Sequence, residues 1–148
     1  MPTIMERQVA FSTPWFDVIG KRVGSDPSLY YALDIADCVG VLAADTAGEL
    51  ILVRQFRPAV ETWTLEVPAG MLERGESPEA CARREVLEET GYEGGQFECL
   101  GTLRPNVGRM SNHMWCFVAT DLRPRGRREF PSLGLRSSAC RRRNSSAP

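Results

Sequence analysis

The chain has 148 residues, of which 43% are hydrophobic, and this is enough for one globular domain with a buried core. It contains no apolar stretch of about 18 residues, so we expect no membrane span. The formal net charge is −1, but residues 1–124 carry 18 acidic and 11 basic side chains, whereas residues 125–148 carry seven arginines and one glutamate. The acidic body of the chain therefore does not attract polyanions at long range.

The start of the chain has no basic flank followed by an apolar stretch, so we expect no secretory signal. Five cysteines are scattered without a CxxC pair, and this odd number fits reduced thiols in a cytoplasmic protein. They are Cys38, Cys81, Cys99, Cys116 and Cys140. Because Cys38, Cys99 and Cys116 lie in apolar, strand-like runs, we expect them to be small core residues.

Seven strands are predicted around one helix. In chain order they cover residues 16–23, 29–35, 38–43, 50–56, 64–67, 97–103 and 113–119. Turn residues at 24–27 join the first and second strands into a hairpin, and those at 45–48 join the third and fourth. Strands on both sides of one strong helix indicate a mixed sheet packed by helices, in an α+β or α/β sandwich.

Residues 70–92 read GMLERGESPEACARREVLEETGY, a loop that leads into this helix. Ser77 is a good N-cap, and Pro78 suits the first helical position. Glu79 complements the helix dipole, and Gly91 is placed to end the helix. The sequence therefore predicts a helix that begins at residue 78 and ends at residue 90.

The predicted helix brings carboxylates together. At about 3.6 residues per turn, Glu85 and Glu89 lie on one face, and Glu88 lies beside them. Such a stripe needs a counter-charge, which Arg84 or bound divalent cations can supply. A solvated surface helix is the alternative, but the like charges of Glu85 and Glu89 at i, i+4 do not favour it. Oxygen donors without a His or Cys cluster favour Mg²⁺, with Mn²⁺ as a substitute.

Fixed intervals separate the glycines, glutamates and arginine of this segment, which are Gly70, Glu76, Arg84, Glu85, Glu88, Glu89 and Gly91. This spacing resembles the signature of the Nudix hydrolases. Tyr92 departs from it, since an aliphatic residue is commoner at that position. The resemblance implies a Nudix-type α/β/α sandwich with a mixed sheet, and metal-dependent hydrolysis of a diphosphate.

The resemblance also implies a role for each polar residue of the segment. The expected metal ligands are carboxylates and one backbone carbonyl, from Ala69, Glu76, Glu85, Glu88 and Glu89. Glu76 is expected to act through water or as a support for the loop. Arg84 is expected to hold the glutamates by hydrogen bonds, and an ordinary surface ion pair is the alternative. We expect Gly70 to supply a backbone conformation that is closed to other residues.

Residues 53–57 and 65–70 are similar to segments of the ADP-sugar pyrophosphatase branch of that family. This implies hydrolysis of a nucleoside diphosphate linked to another moiety, such as ADP-ribose or a related nucleotide sugar, to a nucleoside monophosphate and a sugar phosphate. The candidate substrate-binding residues are Arg54, Arg57, Trp63 and Glu66. The alternatives are a solvated position for each arginine and a core position for Trp63.

The resemblance implies that a glutamate after the segment activates the attacking water. Beyond the strand at 113–119 the acidic residues are Asp121 and Glu129, and Glu129 is our candidate for the general base. Glu88 is the alternative base. The loop at 106–112 can close over a ligand, and we expect a structural role for His113.

We divide the chain at residues 37 and 124. Residues 1–37 form an N-terminal strand region, through which the resemblance implies a homodimer, and residues 38–124 form the hydrolase core. Residues 125–148 are basic, and we expect a disordered or atypical tail, which a truncated or frame-altered end would explain. An arm that binds nucleic acid is the less favoured alternative. For the whole chain, the alternative function is a non-catalytic or impaired nucleotide-binding module.

Overall fold

The computed structural model describes residues 1–126 and 138–141. In this part of the chain, ten strands and one α-helix follow each other, together with a short 3₁₀ helix at Pro58–Val60. The elements are β1 (Ile4–Ser12), β2 (Phe16–Val23), β3 (Leu29–Ile35), β4 (Cys38–Asp45), β5 (Leu50–Arg57), β6 (Thr62–Glu66), β7 (Ala69–Met71), α1 (Pro78–Thr90), β8 (Tyr92–Leu103), β9 (Met114–Pro124) and β10 (Ser138–Arg141).

The strands form two sheets. β1, β2 and β3 pair in chain order as an antiparallel sheet. The other seven strands form a second sheet in the order β10-β5-β4-β9-β8, with β6 paired to β5 and β7 paired to β4. β4 and β9 run parallel, whereas β4 runs antiparallel to β5 and β7. The predicted mixed sheet is therefore confirmed.

The predicted strands 16–23 and 29–35 are confirmed as β2 and β3. Three strands, β1, β7 and β10, were not predicted. β10 pairs with β5, although it lies in the tail for which a disordered or atypical structure was expected. All nine residues of β1 are exposed, so its sequence lacks the alternation of apolar and polar residues that marks a strand with one buried face. β7 has only three residues and depends on its pairing with β4. β8 begins at Tyr92, five residues before the predicted start at residue 97.

The core lies between α1 and one face of the mixed sheet. Its buried side chains are Val39, Val41, Ala43, Ile51, Cys81, Ala82, Val86, Tyr92, Phe117, Ala119 and Leu122. Cys38 and Cys116 are half-buried, and Cys99 is exposed. The prediction of a core position is therefore wrong for Cys99, because it lies on the edge strand β8 next to a bulge. No helix in the described residues has the length and the apolar character needed to cross a membrane.

Leu122 tests this view of the core, since its side chain is fully buried. We expect Leu122→Ala to lower the free energy of unfolding by about 2–5 kcal/mol, because it removes apolar contacts and leaves a cavity. Leu100→Ala is the matched control, because Leu100 is 62% exposed. Urea denaturation followed by circular dichroism measures both, and equal losses in the two variants would contradict the proposed core.

Candidate active site

Helix α1 has the bounds and the caps that the sequence predicts. The Ser77 hydroxyl accepts a hydrogen bond from the backbone N–H of Ala80 at 3.2 Å, and Pro78 occupies the first helical turn. Gly91 is left-handed, with φ at 73°, and its N–H donates to the Leu87 carbonyl. These local caps fix where the helix starts and ends, and so fix which face carries the glutamates.

Arg84 is the central counter-charge of the site. Its Nε donates to Glu76 Oε1 at 2.9 Å. Its Nη1 donates to Glu85 Oε1 at 2.7 Å and to Glu88 Oε2 at 3.1 Å. Its Nη2 donates to Glu76 Oε2 at 3.0 Å and to the Met71 carbonyl at 3.1 Å. Hydrogen bonds to these carboxylates raise the pKa of Arg84, with Glu76 as the largest cause. The guanidinium therefore links helix α1 to the loop that precedes it.

Glu76 anchors that loop as an ionised carboxylate. Both of its oxygens accept from Arg84, and Oε2 also accepts from the Glu73 N–H at 3.0 Å. These bonds, the one from Arg84 first, lower the pKa of Glu76 to about 2. The geometry favours the supporting role for Glu76 over direct ligation of a metal, because its oxygens are already engaged.

Burial disfavours the ionised forms of Glu85 and Glu89. Burial raises the pKa of Glu85, although Arg84 opposes the shift. Burial also raises the pKa of Glu89 to about 7, and repulsion from Glu85 adds to this shift. The Ala69 N–H donates to Glu89 Oε2 at 3.0 Å. Two neighbouring carboxylates, one buried and one partly buried, concentrate negative charge, which a divalent cation neutralises.

Gly70 allows strand β7 to approach the helix. A Cβ atom at this position would overlap the carboxylate of Glu85. Gly70 does not have a positive φ, so the expectation of a special backbone conformation is wrong. The reason for glycine is space, because any side chain would push Glu85 away.

The donors of this site suit a hard divalent cation. Within residues 1–126 and 138–141, no three His, Cys, Asp or Glu side chains converge closely enough to hold a metal ion by themselves. Mg²⁺ needs fewer protein ligands than three, since it commonly binds one or two carboxylates and completes its coordination shell with water and substrate phosphates. Glu85 and Glu89 fit such a partial ligand set, because their charge is only partly balanced by Arg84.

Arg57 and Glu66 lie beside this cluster. Arg57 donates to the two oxygens of Glu66 at 2.8 and 2.6 Å, a bidentate pair that raises the pKa of Arg57 and lowers that of Glu66. Thr64 and Gln55 also donate to Glu66. The charge of Arg57 acts on Glu89, which places the pair near that carboxylate.

Arg54 and Trp63 lie on the other face of the same strands. The Arg54 guanidinium stacks 4.7 Å from the centre of the Trp63 ring, and Phe56 meets that ring edge-on at 6.0 Å. Side chains alternate along β5, so Arg54 and Arg57 point to opposite faces. The structure thus separates the four predicted substrate-binding residues into two pairs. Trp63 is 43% exposed, so the core position considered for it is not observed.

The loop after β8 is attached to the N-terminal sheet. Leu33 and the loop exchange backbone hydrogen bonds, in which the Leu33 N–H donates to the Arg109 carbonyl and the Ser111 N–H donates to the Leu33 carbonyl. The His113 backbone N–H donates to Asp37 Oδ1 at 2.7 Å, and the structural role expected for its side chain stays a prediction. Glu129, the candidate base, lies outside the described residues.

Sequence reasoning missed two residues that support the site. The Asp37 carbonyl accepts from the Leu72 N–H at 2.9 Å and so connects the loop of the metal segment to β4. The Cys81 thiol donates to the Met71 carbonyl at 3.5 Å, the same oxygen that Arg84 contacts. Neither contact has a sequence signal, because each depends on how β7 pairs with β4.

Gly70→Ala tests the close approach of β7 to Glu85. We expect Mn²⁺ affinity to fall by about 10- to 100-fold, the usual cost of disturbing the groups that orient a ligand. Isothermal titration calorimetry measures the affinity. Gly108→Ala is the control, because a Cβ on Gly108 makes only an ordinary contact at 3.5 Å. Unchanged Mn²⁺ affinity in a folded Gly70→Ala protein would contradict the role assigned to Gly70.

Comparisons with known proteins identify the family of this chain. The family model described as NUDIX domain matches residues 34–132. An ADP-sugar pyrophosphatase of Mus musculus is 60% identical over 67 residues, which cover 44% of this chain and 31% of the relative. An ADP-ribose pyrophosphatase of Bacillus subtilis is 39% identical over 84 residues, which cover 57% of this chain and 45% of the relative. A GDP-mannose pyrophosphatase of Citrobacter koseri is 40% identical over 78 residues, which cover 47% of this chain and 39% of the relative.

The fold has a solved counterpart. A crystal structure of an ADP compounds hydrolase superposes with a TM-score of 0.72 at 24% identity, and covers 93% of this chain and 77% of that one. The chain spans less than half the length of the three relatives named above. Because the family model covers about two thirds of the sequence, and the fold and the signature agree with it, the chain belongs to the Nudix family.

Proposed function

We propose that the protein is a metal-dependent hydrolase of a nucleoside diphosphate linked to another moiety, with ADP-ribose or a related nucleotide sugar as the substrate. The products are a nucleoside monophosphate and a sugar phosphate. The observation that carries this proposal is the pair of neighbouring carboxylates, buried Glu85 and partly buried Glu89, beside the Ala69–Gly70 backbone. The names of the similar proteins support the substrate class.

Glu85, Glu89 and the Ala69 carbonyl would hold Mg²⁺, with Mn²⁺ as a substitute and Glu88 as a further ligand. A bound cation of this kind neutralises the charge of the diphosphate and lowers the pKa of the attacking water. Arg84 holds the carboxylates of Glu85 and Glu88 in place during the reaction.

Besides Arg84, which is held by the glutamates, Arg57 places a positive charge where it acts on Glu89, and we assign Arg57 to a substrate phosphate. Glu66 orients Arg57 through the bidentate pair, so it acts on the substrate through that residue. The attacking water gives its proton to a carboxylate, and the bond from phosphorus to the bridging oxygen breaks. Glu88 is a candidate for this base because its side chain is 58% exposed and so open to solvent. Glu129 remains the other candidate.

Glu85→Gln and Glu89→Gln test this proposal. We expect each to lower kcat/KM for ADP-ribose by roughly a hundredfold or more in Mg²⁺, because each removes one negative ligand. Release of the nucleoside monophosphate is followed by chromatography, with GDP-mannose as the competing substrate. Glu79→Gln is the matched control, since Glu79 lies on the same helix but pairs with Arg83 at the surface.

Turnover that persists in both glutamine variants would refute the ligand roles. Tight binding of ADP-ribose by the wild-type protein without turnover would favour a nucleotide-binding module instead.

We infer that the protein forms a homodimer through its N-terminal sheet. All residues of β1 are exposed, and they include the large apolar side chains of Met5, Val9 and Phe11. A strand that exposes such side chains usually gains stability from a partner. A cytoplasmic location is also proposed, because the four cysteines with described side chains are free thiols.

Phe11→Asp tests the dimer. Light scattering after size-exclusion chromatography is expected to give the mass of a dimer for the wild-type protein and of a monomer for the variant, because a charge replaces buried apolar area. Val107→Asp serves as the control, since Val107 is exposed on the loop after β8. A wild-type protein that elutes as a monomer at high concentration would exclude this interface.

A further inference from the structure

Three sulfur-containing side chains lie together on the face of the mixed sheet opposite α1. Cys38 of β4 pairs in register with Met114 of the parallel strand β9. Two residues further along the same strands, Gly40 pairs with Cys116. Val39 belongs to the core under α1, and neighbouring side chains alternate between faces. The two thiols and the thioether therefore share the face away from the core.

Met114 occupies the centre of this group. A Cβ on Gly40 would overlap the methyl group of Met114, and the Met114 sulfur lies 4.0 Å from that position. The thioether thus bends over Gly40. Cys38 and Cys116 stand at opposite corners of the same four-residue block, and Met114 leans along the other diagonal towards Gly40, which directs its thioether across the line between the two thiols.

The surroundings of Cys38 suit a cation. Its sulfur lies 3.7 Å from both the His113 carbonyl and the Asn112 amide nitrogen. Burial, and then the charges of Asp37 and Cys116, raise the pKa of the Cys38 thiol, so a bound cation has to displace its proton. Asn112 is 4% exposed, and its amide oxygen has no hydrogen-bond partner within the described residues. Cys38 and Cys116 are only half-buried, so solutes can reach them.

The spacing of the two thiols excludes a direct disulfide. An offset of two residues between neighbouring strands separates the Cα atoms by about 8 Å. A disulfide requires a Cα separation below about 7 Å. An S–metal–S bridge spans a greater distance than a disulfide, because it contains two metal–sulfur bonds of about 2.3 Å each.

We propose that Cys38, Cys116 and Met114 form a site for a soft, thiophilic cation such as Cu(I). Thiolate and thioether sulfurs are the ligands that Cu(I) prefers, whereas the carboxylates of the active site prefer hard cations. Each thiol releases one proton to solvent as its sulfur binds, and no oxidation occurs. The site lies on the face of the sheet opposite the one that α1 covers, so its sulfurs face away from Glu85 and Glu89.

Competition with the Cu(I) chelator bathocuproine disulfonate tests the site. The reduced full-length protein is expected to remove one Cu(I) per chain from the chelator, which the absorbance of the chelator complex reports. Cys38→Ser and Cys116→Ser are each expected to weaken Cu(I) binding at least tenfold, and Met114→Leu to weaken it less. Cys99→Ser is the matched control and should leave the affinity unchanged.

A second measurement avoids any dependence on how the variants fold. Cu(I) is expected to protect Cys38 and Cys116 of the wild-type protein from iodoacetamide while Cys99 still reacts, as peptide mass spectrometry would show. Glu85→Gln should bind Cu(I) as the wild-type protein does, which separates this site from the hydrolase centre. Failure to take Cu(I) from the chelator, or equal alkylation with and without Cu(I), would overturn the proposal.

Discussion

The hydrogen bonds of Arg84 to the carboxylates around it are the interaction on which the site depends. One guanidinium contacts Glu76, Glu85 and Glu88 and also reaches the Met71 carbonyl. Without this charge, the glutamates would repel each other on a single helical face. Arg84 balances only part of the negative charge, because burial still raises the pKa values of Glu85 and Glu89. The remaining charge is what makes the site suitable for a divalent cation.

The packing of β7 against α1 then determines how the carboxylates of Glu85 and Glu89 are oriented. β7 pairs with β4, and the missing side chain at Gly70 lets its backbone lie against Glu85. The Ala69 N–H orients Glu89 from the same strand. A helix and a three-residue strand therefore hold the two carboxylates beside the backbone that would share the metal with them. This arrangement explains why a short strand without a sequence pattern of its own is essential to the site.

The helix could be predicted from the sequence to the residue, because its caps at Ser77 and Gly91 are local. The contacts of Arg84 with Glu85 and Glu88 followed from helical spacing for the same reason, whereas the metal-binding roles of the glutamates stay predictions. The opposite faces of Arg54 and Arg57 follow from alternation along a strand, but which of the two faces the glutamates could not be foreseen, because it depends on how β5 is placed in the sheet. β1 escaped prediction because it buries neither face within the described chain.

A crystal structure of the protein with Mn²⁺ and a non-hydrolysable analogue of ADP-ribose is the most direct test of the central claim. The account predicts anomalous density for Mn²⁺ in contact with the carboxylates of Glu85 and Glu89, and with the diphosphate bound against the same ion. Mn²⁺ and diphosphate bound elsewhere, with neither of these carboxylates in contact with the ion, would contradict it.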